Sequence, residues 1–287
     1  MKRVPLLTSI PPRFARRDGS GVDVGPAYAA QCVRSWRECG FEPHTVNAAA
    51  EESAGLIGSE AIRRLDVARD ARPLCGKPLV WLDDLLRAAR SVSDGPVAIT
   101  NADILLEPAA EAARLVAALR PGQCVVAKRV DVPTLGARDG QAYPEGYDFF
   151  AFHVEDLRGL GESPFVFGLP WWDQYLPIAL LLRGVRPVPL PGPFAYHLLH
   201  QERWDWELWA RLGRQYLELF DRRPGDGTAD YARRIRRAAA GVDRPVAARV
   251  RTALRRLTAA GRKREEVRAL YRVSLSNEEW LGSRLRS

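Results

Sequence analysis

Hydrophobic positions along this chain alternate between two periods, and the alternation predicts an α/β protein. Val4 to Ile10 has the composition of a short first strand, which Pro11-Pro12 ends because proline supplies no ladder donor. Between Pro26 and Cys39 the residues Tyr28, Ala29, Cys32, Val33 and Trp36 recur at helical spacing, and Gly40 stands where a helix C-terminal glycine belongs. Phe41 to Asn47 reads as the next strand. A strand, helix, strand unit needs a crossover, which favours a parallel sheet. The pattern continues with a helix within 77–92, a strand over 97–100, a helix over Ala109 to Leu119, and strands over Cys124 to Val130 and Tyr147 to Val154. A helix over Gln174 to Leu182 and a strand over Val185 to Leu190 follow.

From about residue 213 the pattern changes in kind. Arg-rich segments such as Tyr231 to Ala239 and Val246 to Leu257 predict helices, broken by Gly225, Gly227, Gly241 and Pro245. These helices are expected either to pack on the preceding domain or to hang loosely from it. The expected organisation is an α/β domain over 1–212 and a basic helical C-terminal region over 213–287. Charge follows the same division. Residues 213–287 hold 19 Lys and Arg against 9 Asp and Glu, whereas residues 1–212 hold 24 against 26, so the net charge of +8 belongs to the tail.

At 287 residues the chain can bury a full core, and 46% hydrophobic with 27% charged residues excludes a disordered or fibrous protein. Eight Trp is a generous number and suggests aromatic surfaces around a site. Cys32, Cys39, Cys75 and Cys124 form no CxxC pair, which argues against a zinc site or a disulfide framework and fits a reducing cytosol. No N-terminal stretch has the apolar length of a signal peptide or a membrane span, so a cytoplasmic location is expected.

Candidate chemistry starts where the apolar run Val97 to Leu106 is broken by Asn101-Ala102-Asp103. Side chains alternate along a strand, so a strand through this triplet would put Asn101 and Asp103 on one face. A carboxamide beside a carboxylate suits a divalent cation and a sugar hydroxyl, and open α/β sheets bind ligands at the carboxyl ends of their strands. The competing reading is a plain turn. The second constellation, Phe167 to Asp173, sets one carboxylate behind two indoles, Trp171 and Trp172, at the start of a predicted helix. Aromatic walls exclude water and raise carboxylate basicity, as a general base requires, while an ordinary helix N-cap is the alternative. The third, Tyr196 to His200, holds two of the four histidines, and neutral imidazole is a common ligand of transition metals. A structural or surface histidine pair is the alternative.

Together these residues resemble a glycosyltransferase of the GT-A type, over about residues 4–212. The resemblance implies a GT-A (Rossmann-like) nucleotide-binding sheet flanked by helices, a nucleotide-diphosphate sugar donor, a hydroxyl acceptor, a divalent metal (Mn²⁺ or Mg²⁺) and a role in glycan or glycoconjugate biosynthesis. The DxD-like triplet is Asn-Ala-Asp, so Asp103 is expected to coordinate the metal and Asn101 to meet the ribose or a metal-bound water, with Ala102 between them. His197 or His200 is expected to complete the metal site, and the sequence does not decide between them. Thr8-Ser9-Ile10 with Arg13 matches the place where such enzymes seat the base and reach the phosphates, and Lys77 would add a point charge. Solvated surface cations are the alternative for Arg13 and Lys77. The Trp171-Trp172-Asp173 run is similar to the Trp-Gly-x-Glu-Asp region of inverting members, which makes Asp173 the expected base and Trp172 part of its aromatic setting at the sugar.

Asp148 interrupts an aromatic strand and needs a partner, either a sugar hydroxyl or a structural ion pair within the set Arg129 and Asp131. Trp204, Trp206 and Trp209 either stack on sugar faces or pack. Two further function classes stay open. A nucleotidyltransferase uses a similar sheet and acidic metal ligands, but normally shows a glycine-rich basic phosphate loop that Gly19-Ser20-Gly21 does not supply. A non-catalytic binding protein would dock Arg233-Arg234-x-Arg236-Arg237 and Arg262-Lys263-Arg264 on an anionic surface. Interspersed acidic residues favour a solvated helical face for these clusters. A peripheral contact with the inner face of a membrane is compatible with the enzyme reading, and no nucleic-acid partner is expected.

Overall fold

A computed structural model describes residues 3–17, 22–51, 56–57, 60–107, 110–144, 146–190, 192–200, 205–222, 227–241 and 264–285. The chain opens with β1 (Val4–Thr8), α1 (Gly25–Glu38), β2 (Phe41–Ala48), the short pair β3 (Leu56–Ile57) and β4 (Glu60–Ala61), and β5 (Arg63–Val67). It continues through α2 (Arg72–Cys75), α3 (Leu82–Val92), β6 (Pro96–Thr100), β7 (Ile104–Leu106), α4 (Ala110–Ala117), β8 (Gln123–Ala127), β9 (Arg129–Val132), β10 (Gln141–Ala142) and β11 (Phe149–His153). The last elements are α5 (Trp172–Leu182), β12 (Arg186–Pro187), β13 (Ala195–Leu198), α6 (Trp206–Arg222), α7 (Thr228–Ala239) and α8 (Arg264–Leu285).

A seven-stranded sheet in the order β12-β8-β11-β6-β1-β2-β5 forms the centre. Strands β6, β1, β2 and β5 run parallel, and β11 runs antiparallel to both β6 and β8. Alternate residues of the central strands enter two cores. Leu7, Val97, Ile99, Phe150 and Phe152 face one layer, and Leu6, Ala98, Phe149 and Ala151 face the other. This is what a sheet covered by helices on both faces requires. Helix α1 buries Tyr28, Ala29, Cys32, Val33 and Trp36, the residues its periodicity selects, and Gly40 follows with φ of 86°.

A second, four-stranded sheet has the order β10-β9-β13-β7. Two apolar runs divide between the sheets. Val97 to Leu106 forms the expected strand as β6 and, beyond the triplet, β7 of the second sheet, whereas Cys124 to Val130, which reads as one strand, splits at Lys128 into β8 and β9. The helix expected within 77–92 starts only at Leu82, because Pro78 favours extended backbone before it and Trp81 bridges to Val166. The strand expected over Val185 to Leu190 is the two-residue β12, flanked by the Arg186 amide donating to the Gly122 carbonyl at 2.8 Å and the Val188 amide donating to the Cys124 carbonyl at 2.7 Å.

The described C-terminal helices share the core of α5. Tyr216, Phe220, Tyr231, Ile235, Val267 and Leu270 belong to the same apolar cluster as Trp171, Tyr175 and Ile178. A buried polar chain locks their register: Gln174 Nε2 donates to Ser274 Oγ at 2.7 Å, Asn277 Nδ2 donates to Gln174 Oε1 at 2.8 Å, and the Tyr231 hydroxyl donates to Asn277 Oδ1 at 2.6 Å. Such networks specify one packing because each member left unpaired is costly. Within the basic cluster of α7, Arg233, Arg234 and Arg236 pair with Asp230, Glu279 and Asp221. The helix expected over Val246 to Leu257, and Arg262 and Lys263, lie outside the described residues. Among the described residues no helix is long and apolar enough to cross a membrane. Asn277→Ala strips two buried groups of their partner, so unfolding free energy in urea should fall by about 2–4 kcal/mol. A loss under about 0.5 kcal/mol would mean that this network does not hold α8.

Candidate active site

The two transfers between sheets bring the chemistry together. The chain leaves the large sheet at Thr100 and enters the small one at Ile104, with Asn101-Ala102-Asp103 as the connecting turn. Tyr147 and Asp148 lead into β11, where the Asp148 carbonyl accepts Thr100 Oγ1 at 2.8 Å and its amide donates to Ala127 at 3.1 Å. Strand β13 lies between β7 and β9 in a register that sets His197 opposite both Ile104 and Asp131. Sheet register thus carries His197 to Asp103 on one side and to Asp131 on the other. Tyr28 on α1 ties two of these segments, its hydroxyl donating to the Asp103 carbonyl at 2.5 Å and accepting the Leu198 amide at 2.9 Å.

The expected common face of Asn101 and Asp103 is corrected by this turn, since strand alternation does not hold across it. Asn101 Nδ2 donates to Asp148 Oδ1 at 2.7 Å, whereas the Asp103 carboxylate pairs with the Arg16 guanidinium and lies 3.4 Å from His197 Nε2. Each side chain of the pair therefore has its own partner.

Asp103, His197 and His200 each offer one ligand atom, and these atoms lie within 4.8 Å of one another. His197 Nδ1 is 2.9 Å from Asp131 Oδ1, which leaves Nε2 on the Asp103 side. Asp131 also accepts Arg129 Nε at 2.8 Å, and Arg129 Nη1 reaches Asp148 Oδ1 at 3.2 Å. The result is a line of alternating charge from Arg16 to Asp148. Burial by itself would lift Asp103, but the hydrogen bond and charge of His197, with Arg16 and Arg129, hold it far below the usual carboxylate range. Burial likewise opposes protonation of His197, and its bonds to Asp103 and Asp131 outweigh this and raise it. One carboxylate and two imidazoles, one of them oriented by a second carboxylate, are a donor set that fits a divalent transition metal. Arg16 holds the Asp103 carboxylate in this structure, so a cation would take its place there.

Asp173 sits in the first turn of α5. The N-cap of that helix is Trp171, so the reading of Asp173 as the cap is replaced by a place two residues further on. Trp171 has φ of 81°, a conformation that a bulky residue adopts only when its surroundings dictate it. Its indole packs 5.0 Å from Trp209 and 5.1 Å from Tyr216, and its Nε1 donates to the Trp209 carbonyl at 3.0 Å. Trp172 is buried against Phe150 and Phe167. Both indoles are therefore core anchors that fix the start of α5. Asp173 Oδ2 lies against the backbone of Gly146, where φ is 91° and any Cβ would overlap that oxygen. Burial first, then the charges of Asp148 and Glu278, push Asp173 up to about 7 against the pull of the Asp173 and Gln174 amides.

The remaining expected contacts spread along the same edge and beyond it. Thr8 is buried with its hydroxyl unpartnered among the described residues, Ser9 is half-buried, and Ile10 is tied to β2 through Thr45 and Asn47. Because β1 and β6 are parallel neighbours, Thr8 and the triplet emerge at the same end of the sheet. Ala102 is half-buried in the turn, and Arg13 and Lys77 are exposed. The cation at Asp103 is Arg16, which the sequence reading passed over. Its backbone is pinned to the start of α1 by Asp23 and by the Val24 amide, with Gly25 allowing Phe14 to approach. Asp23-Val24-Gly25 before the helix is the signal that could have placed it. Glu278 was also missed, for its approach depends on packing 132 positions away along the chain. Trp206 and Trp209 pack 5.8 Å apart, and Trp204 lies outside the described residues.

No family model matches the chain, and no curated protein matches it. Among solved structures it is similar to a nucleotidyl transferase from Methanothermobacter thermautotroptrophicus, at 16% identity and a TM-score of 0.41, covering 77% of this chain and 97% of that one. It is also similar to a protein described as a nucleotide-diphospho-sugar transferase from Desulfovibrio desulfuricans G20, at 14% identity and a TM-score of 0.39, covering 69% and 80%. A protein described as a glucose-1-phosphate thymidylyltransferase from Bacillus anthracis overlaps at 9% identity and a TM-score of 0.38, covering 79% and 98%. These are partial overlaps at low identity, and what the site can do follows from its own geometry.

A carboxyl raised from about 3.9 in the unfolded chain to about 7 in the fold gives stability that is complete below pH 4 and is lost as pH rises through 7. Asp173→Asn should therefore match the wild type in urea melts at pH 4 and exceed it at pH 8 by on the order of 2–4 kcal/mol. Equal stability at pH 8 would contradict the raised carboxyl.

Proposed function

We propose that this protein is a metal-assisted glycosyltransferase that moves a sugar from a nucleotide-diphosphate donor to a hydroxyl acceptor with inversion. The observation that carries the reading is the grouping of Asp103, His197 and His200 at the carboxyl end of β6, and the Asp173 carboxyl, which burial and the charges of Asp148 and Glu278 push up, supports it. Ligands of α/β sheets bind at that end, and Thr8 to Ile10 emerge there to receive the base and ribose.

In this reading Asp103, His197 and His200 hold the divalent cation, and two imidazoles favour Mn²⁺ over Mg²⁺. When bound, the metal supplies positive charge against the charge that develops on the leaving diphosphate. Arg16, released from Asp103, presents a planar guanidinium to the phosphates, with Arg13 and Lys77 as more distant charges. Asp173 accepts the proton of the acceptor hydroxyl as its oxygen bonds to the anomeric carbon and the diphosphate leaves with the electron pair of the broken bond. Asp148, fixed by Asn101 and Arg129, offers its remaining acceptor capacity to a sugar hydroxyl.

The direct test is a thermal-shift screen of UDP, GDP, CDP and dTDP and their sugars with and without Mn²⁺, followed by product analysis. One nucleotide family should give a Mn²⁺-dependent shift that Asp103→Ala abolishes without unfolding the protein. Absence of any shift overturns the reading, and release of pyrophosphate in place of the nucleoside diphosphate replaces it with nucleotidyl transfer. Asp173→Asn should lower kcat by about 10²–10⁴-fold with donor affinity unchanged. Wild-type kcat should rise with pH through about 7 as the base ionises. A product of retained configuration removes Asp173 from the role of base.

A further inference from the structure

The C-terminal helix α8 brings a carboxylate of its own to Asp173. Glu278 is 8% exposed, and its two oxygens have separate partners: Oε1 accepts the buried Gly146 amide at 2.8 Å, and Oε2 is paired with the Lys128 ammonium. Gly146 is the residue against which Asp173 Oδ2 rests, so the two acids meet the same stretch of backbone. The next residues repeat the correspondence, since Asn277 beside Glu278 hydrogen bonds Gln174 beside Asp173. Register between α8 and α5 is thus set by one neutral pair and delivers one acidic pair.

Two carboxylates brought together in a buried place repel each other, and a nearby cation would ordinarily relieve this. Lys128, at the break between β8 and β9, is the ammonium at hand. It is held three ways: by Glu278, by the Pro144 carbonyl at 2.8 Å and over the Tyr147 ring at 5.0 Å. Arg129 is likewise occupied by Asp131 and Asp148. Among the described residues no cation is paired with Asp173, while the charges of Asp148 before β11 and Glu278 on α8 both act on it.

We propose that Glu278 is a positioning residue for Asp173: by engaging Lys128 and the Gly146 amide it keeps that ammonium from Asp173 and fixes the backbone on which Asp173 rests, so that α8 completes the proton-accepting site. This rests on the reading of Asp173 as proton acceptor. Its consequence is that loss of the Glu278 charge lowers Asp173 twice, by removing a repulsion and by freeing Lys128.

The experiment is a ¹³C NMR titration of the full-length protein labelled at aspartate carboxyls, with the Asp173 signal assigned through Asp173→Asn. Glu278→Gln keeps an oxygen for the Gly146 amide and removes the charge. The Asp173 midpoint should fall from near 7 by about one pH unit or more, and an unchanged or higher midpoint overturns the proposal. A second measurement needs no change at Glu278. Its own carboxyl signal in glutamate-labelled wild type should inflect near 7, and Asp173→Asn should abolish that inflection; a wild-type signal without it also overturns the proposal. Both titrations are read without substrate, so failure of glycosyl transfer leaves them interpretable. A wild-type kcat that still rises through pH 7 would keep Asp173 as base even if Glu278 proved inert.

Discussion

The buried guanidinium of Arg129 is the interaction on which the site depends. It lies between Asp131 and Asp148, with 13% of its side chain exposed against 13% and 4% for the two carboxylates. Burial opposes its charge, and Asp148 and Asp131 more than restore it. Taking three such groups out of water is expensive, and the expense is offset only while all three stay together. Each acid then carries a second duty, Asp131 orienting His197 and Asp148 receiving Asn101. A single cation therefore couples the crossing after β6, the crossing after β8, the entry to β11 and strand β13.

A second constraint works from the opposite side, through packing. The strained Trp171 and the buried Trp172 anchor the first turn of α5 between the central sheet and the C-terminal helices. Because Trp171 leans on Trp209 and Tyr216 of α6, the position of Asp173 is set by residues that follow it by dozens of places. Gly146 closes the arrangement, since a side chain there would occupy the space of the Asp173 carboxylate. Charge fixes one half of the site and aromatic packing fixes the other.

Much of the architecture was legible along the chain. The periodicity of Tyr28, Cys32, Val33 and Trp36 gave α1 with its buried face and its terminal glycine, and the apolar cores of β1, β2, β6, β8 and β11 lay where hydrophobic runs stood. The prospective site residues Asp103, His197, His200 and Asp173 could all be nominated from residue type and position. Their errors were of one kind. Asn101 and Asp103 were assigned one face, and Cys124 to Val130 one strand, because a hydrophobic run does not record the point at which a chain passes from one sheet to another.

What the sequence determined by itself was therefore local: which segments could be helix or strand, where proline and glycine interrupt them, and which side chains carry usable chemistry. Those properties depend on near neighbours, which the linear order contains. Which groups meet was decided by the tertiary structure alone. That both histidines lie at Asp103, that the cation there is Arg16 and not Arg13, and that Glu278 reaches Gly146 all depend on strand register and on helix packing between segments far apart. Charge and burial act through space, so the electrostatics of the site exist only once those distances are closed.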